Sequence, residues 1–104
     1  MSTNETTRQN VCTYGRVKKA IALDLGNELT SLIADRGMSK PDAAAALGWP
    51  IAKLRRVTAG YGKWLLGDIV DTADVFGGGN VDEMLRLIGI ASRARQRVTA
   101  EVVA

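Results

Sequence analysis

Glycine cuts this chain into segments that suit short helices and little else. Gly37, Gly48, Gly60 and the run Gly77-Gly78-Gly79 each close a helix-like stretch. In all but the small-sided one before Gly48 the apolar residues recur at spacings of three and four, the period of one helix face. No segment of useful length alternates apolar and polar residues as a half-buried strand does. Val98 to Ala104 carries β-branched residues, but a single terminal strand needs a partner. With 104 residues the chain supports one domain and little more. The pattern predicts an all-α domain of five helices joined by short loops.

A helical period sets in at Lys18, with Ile21, Leu25, Leu29, Leu32 and Ile33 on one face, and should stop at Arg36-Gly37. Ser39 then offers a capping hydroxyl, Pro41 suits a first helical turn, and Asp42 stands three residues after the cap. The small-sided run from Asp42 to Leu47 ends at Gly48 and lets a neighbouring helix approach closely. Leu54 and Val57 mark a third helix ending at Gly60. Leu65, Ile69, Ala73 and Phe76 mark a fourth. Asn80 caps a fifth, whose apolar side holds Val81, Met84, Leu85, Ile88 and Ala91. Residues 1–16 are polar and unpatterned and read as a flexible arm. Residues 17–92 form the domain, and residues 93–104 read as a basic tail.

Several function classes drop out on composition. The absence of histidine excludes a Ser-His-Asp triad, a Cys-His dyad and His-ligated zinc. A single cysteine, Cys12, excludes an internal disulfide and a CxxC site. No catalytic set can be assembled, and neither a metal nor a cofactor is expected. Asp68, Asp71 and Asp74 lie three apart, and a solvated face, or pairing with the arginines of 86–97, explains them better than a magnesium site. No stretch reaches the roughly 20 apolar residues of a membrane span, and the first ten residues lack the apolar run of a secretory signal. The expectation is a cytoplasmic, non-enzymatic protein.

The net charge is only +3, but its distribution is uneven. Residues 49–64 hold Lys53, Arg55, Arg56 and Lys63 with no acid. Residues 65–85 hold five acids and no base, and residues 86–97 hold Arg86, Arg93, Arg95 and Arg97. Segregated charge gives a small protein distinct faces, and the basic one is a candidate for phosphate contact.

The segment MSKPDAAAALGWPIAKLRRVTAG, Met38 to Gly60, joins a capped short helix, a glycine turn, a second short helix and a closing glycine. It resembles, without a gap, the helix-turn-helix of the lambda-repressor-like family of DNA-binding proteins. Ser39 matches that family's capping serine, Ala44 its small helix residue, Leu47-Gly48 its turn, Leu54 and Val57 its buried aliphatic pair, and Gly60 its closing glycine. The likeness extends over residues 21–90, because the family has one helix before the motif and two after it. The sequence departs from the pattern at Pro50, where a serine or other cap usually starts the recognition helix, at Lys40, where glutamine is common, and at Thr58-Ala59. The resemblance implies a compact five-helix domain that binds duplex DNA through the helix around residues 50–60. It also implies a transcriptional regulator, most often a repressor of phage or prophage type.

At about 100° per residue, with Leu54 and Val57 inward, Ala52, Arg55, Arg56 and Ala59 face out, flanked by Ile51 and Lys53. An arginine there can donate two hydrogen bonds to a guanine, and Ile51 or Ala52 can touch a thymine methyl. Lys40, Lys53 and Lys63 are placed as phosphate contacts, and the amides near Trp64-Leu65, at the start of the fourth helix, as a further phosphate site. The fifth helix is more apolar than one buried stripe requires, which points to a homodimer through that helix. The alternatives are an antitoxin-like module and a helical adaptor whose fifth helix docks a second protein.

Overall fold

The computed structural model describes the backbone of residues 3–103 and the side chains of residues 14–101. The apolar row Leu25, Leu29 and Ile33, almost wholly buried, gives α1 (Thr3–Asp35) its inward face. Ser39 accepts the Asp42 amide at 3.2 Å to start α2 (Lys40–Leu47). Gly48, at φ 73°, ends it in a left-handed turn that side chains rarely adopt, and the Trp49 amide returns to the Ala44 carbonyl. After Pro50 come α3 (Ile51–Thr58), α4 (Leu66–Gly77) and α5 (Val81–Val103), the last opened by Asn80, whose side chain accepts the Asp82 amide. The molecule is all-helical, with no strand among the described residues; the expected β-branched segment at the carboxyl end is helix up to Val103.

The two outer helices are longer than expected. α1 begins well before Lys18, and α5 continues through residues 93–103, where a basic tail is expected. Contacts distant in sequence accompany the extra length from Arg16 in α1 and up to Glu101 in α5. Ion pairs join Arg16 to Glu101, Asp24 to Arg97 and Glu28 to Arg86, so α1 and α5 run antiparallel along a shared seam. Ala94 and Val98, inside the expected tail, are buried. The side chains of the arm up to residue 13, Arg8 and Cys12 among them, lie outside the described residues. At about 1.5 Å per residue α1 is roughly 50 Å long, which sets the 54 Å long axis of the molecule.

The core has two parts. One gathers Leu29 and Ile33 of α1, Ala43, Ala44 and Leu47 of α2, Trp49, Leu54, Val57 and Phe76. The other joins Leu25 to Ile69, Ala73 and Leu87. Trp64, between α3 and α4, packs against both. Arg36 ties the end of α1 to the end of α4 by donating to the Phe76 carbonyl at 2.9 Å.

α3 is held tightly against α1 at Gly26, where an added Cβ would overlap the Val57 carbonyl oxygen. That oxygen is backbone and cannot swing aside. Gly26→Ala gains up to about 1 kcal/mol of helix propensity but incurs an overpacking cost of about 1–3 kcal/mol. We expect a net loss, read as a lower urea midpoint with an unchanged m-value; an equal or higher midpoint would show that the helices can separate freely.

Within the α1–α5 seam, Arg86 bonds Glu83 through Nε at 3.0 Å, and through its terminal nitrogens reaches both Glu83 and Glu28. The hydrogen bonds from Arg86, opposed by burial and helped by its charge, hold Glu83 below the ordinary value of 4.5. A lowered carboxylate contributes stability that is present above its unfolded value and is lost as pH falls through the folded one. Glu83→Gln is therefore expected to be less stable than wild type at pH 7, with the gap closing below pH 4.5. A gap constant with pH in thermal melts would refute the linkage.

Candidate nucleic-acid interface

An eight-residue helix that opens with Pro50 and has no side-chain cap cannot hold itself in place, because helices this short are marginal alone. Tertiary contacts hold α3. Leu54 and Val57 enter the core. Lys53 reaches to α4, its Nζ 2.6 Å from Asp68 Oδ1 and 4.5 Å from the centre of the Trp49 ring. Asp68 is buried, and its Oδ2 accepts the Leu65 amide at 2.9 Å. One carboxylate thus caps α4 and anchors α3. Just before α3, the Trp49 indole donates to Asp71 at 3.0 Å and meets Trp64 edge to face at 6.1 Å.

This network revises the reading of the acidic row. Asp68 is buried and Asp71 partly buried, and they bind Lys53 and Trp49 rather than the arginines of 86–97. Asp74 is exposed, as the solvated-face reading expects. Among the described residues no group of three or more Asp, Glu, Cys or His is placed to hold a metal. The Leu65 amide, expected to meet a phosphate, is taken by the Asp68 carboxylate. Two of the arginines of α5 reach α1 instead: Arg86 pairs with Glu28 and Arg97 with Asp24, while Arg93 and Arg95 are exposed. Sequence reasoning missed the Lys53–Asp68 link. Its signal is a carboxylate three residues after Leu65, the place of a reciprocal helix cap that lacks its hydroxyl partner.

The seven residues singled out in the sequence fall into distinct settings. Ala52, Arg55 and Arg56 are exposed on the outer face of α3, and Ile51 is half-buried at its edge, packed against the core. Arg55 and Arg56 have no acidic partner among the described residues. Lys53, expected to bind phosphate, is held by Asp68 with 28 % of its side chain exposed. Arg56 and Lys63 line one notch of about 360 Å³ between α3 and the loop to α4, with the Lys53–Asp68 pair at its wall. That notch carries two uncompensated positive charges. Lys40 is exposed at the first turn of α2, away from the notch.

No protein-family model matches the chain, and no curated protein or solved structure is significantly similar to it.

The Lys53–Asp68 link can be measured by a double-mutant cycle with Lys53→Met and Asp68→Asn, the asparagine retaining an acceptor for the Leu65 amide. Because one partner is buried and the other partly exposed, the coupling should be about 1–3 kcal/mol. A coupling near zero in chemical denaturation would mean that α3 is held by its apolar contacts alone.

Proposed function

We propose that this protein is a sequence-specific duplex-DNA-binding transcriptional regulator with a helix-turn-helix formed by α2 and α3, a repressor of the phage or prophage kind, acting in the cytoplasm without catalysis. The observation that carries the reading is the division of α3. Its inner residues are tied to the rest of the fold, while Arg55 and Arg56 extend outward between Ala52 and Ala59, with no acid beside them. Small flanking residues let a helix enter the major groove, and a guanidinium bonded to guanine O6 and N7 contributes about 1–3 kcal/mol of discrimination. Ile51 and Ala52 are positioned for thymine methyl groups. Lys63, Arg56 and Lys40 serve the phosphate backbone, whose contacts orient the protein without reading sequence. Lys53 is a positioning residue in this scheme: a phosphate would have to draw it away from a buried carboxylate.

The exposed row Val81, Leu85 and Ile88 on α5 supports a homodimer. Only part of that helix's apolar surplus is absorbed inside, where Leu87 is fully buried and Met84 and Ile90 pack on the core. A two-fold dimer places its recognition helices about 34 Å apart, one turn of DNA. The same apolar row would serve a helical adaptor that captures a second protein.

Selection from a random duplex pool, at two salt concentrations, tests the proposal. Wild type should enrich a two-fold site, and Arg55→Ala/Arg56→Ala should lose the enrichment. Arg56→Ala alone should flatten the salt dependence by about one unit of slope, and Lys53→Met should leave it nearly unchanged. Duplex indifference at low salt would overturn the reading and favour the adaptor.

A further inference from the structure

A second concavity, of about 460 Å³, lies between α1 and the loop that joins α3 to α4. Its apolar lining comes from Ala22, Ile21 and Trp64, with exposed Leu65 at the edge, and Lys18, Lys19 and Lys63 also line it. No carboxylate lines it. Lys18 lies over the Tyr14 ring, 4.7 Å from its centre, a contact that leaves its charge uncompensated. Lys19 and Lys63 have no acidic partner among the described residues. The volume is that of a small-molecule site, and such sites combine an apolar lining with a few polar groups that fix orientation.

We propose that this concavity binds a small amphiphilic anion, with an apolar body against Ile21, Ala22 and Trp64 and a carboxylate or sulfonate at the lysines. The two halves of the site set the ligand class together. An apolar lining at the surface gains from being covered, and three ammonium groups without an acid disfavour a cation and favour an anionic head. A nucleic-acid backbone would satisfy the lysines but has no apolar body for the lining. The proposal stands whether or not α3 reads DNA. Its position gives it a consequence all the same, because the loop it contacts begins where α3 ends.

Decanoate is a suitable probe, with decanol as its neutral counterpart. Trp64 lines the concavity, so tryptophan fluorescence should change saturably with decanoate at one site per chain, and the melting temperature should rise with its concentration. Lys18→Gln/Lys19→Gln, which alters only exposed side chains, should weaken decanoate by about tenfold or more through the loss of charge-assisted contacts. Decanol should bind much more weakly than decanoate. Absence of saturation up to about 1 mM, equal binding of decanol, or unchanged affinity in the folded double variant would each overturn the proposal. A double variant that loses duplex affinity while wild type ignores decanoate would assign the lysines to a nucleic-acid backbone instead.

Discussion

A carboxylate buried in a helical protein needs partners for its charge, and the way Asp68 finds them organises this molecule. Water is excluded, so the group must accept hydrogen bonds or meet a cation. Asp68 does both, from the Leu65 amide that precedes its own helix and from Lys53 in another. The first bond satisfies a free donor at the start of α4, and the second fixes the rotation of α3 about its axis. Lys53 also lies over Trp49, whose indole bonds Asp71 one turn further along α4. Two helices too short or poorly capped to be stable alone thereby define each other's position.

The alternation of charge along the chain takes on a different meaning in this light. Blocks of opposite sign look like separate faces for external partners, yet much of the charge is used internally. Part of the acidic block of 65–85 meets the α3 region, and part of the arginine block of 86–97 meets acids on α1. The cations left over lie in several places: Lys40 is exposed on α2 and Arg93 and Arg95 on α5, and the others gather near α3. Arg55, Arg56 and Lys63 surround the outer side of α3 and the loop after it, with Lys18 and Lys19 across the neighbouring concavity. Pairing inside the protein leaves part of that surplus as a basic surface beside α3.

What was legible in the sequence was whatever neighbours in sequence decide. Ser39 and Gly48 bound α2 because a hydroxyl cap and a left-handed turn are local chemistry. Leu54 and Val57 identify the inner face of α3 because three residues make nearly one turn. The length of α5 was legible too, against the tail expected from residue 93: Met84, Leu87, Ala91, Ala94 and Val98 recur at three and four, and Leu87, Ala94 and Val98 are buried. What no local pattern shows is the partner of each charge, such as Arg16 with Glu101, 85 residues away in the chain. Trp49 with Asp71 is the same kind of contact at shorter range. Of the candidate site, the outward position of Arg55 and Arg56 follows from helix geometry, whereas the role of Lys53 could be found only once α4 lay beside it.

The division of labour on α3 also determines what its variants can teach. Leu54 and Val57 lie in the core, so truncating either leaves a cavity and confounds binding with folding. Lys53 and Gly26 act on the placement of the helix, and changes there move every outward residue together. Arg55 and Arg56 are exposed and bear no acidic partner among the described residues, and such surface positions usually alter stability by no more than about 0.5 kcal/mol. A duplex contact by a guanidinium is larger than that. Loss of binding in those two variants would therefore report on the contact itself, whereas loss in a Gly26 or Lys53 variant would report on how firmly the protein presents the helix.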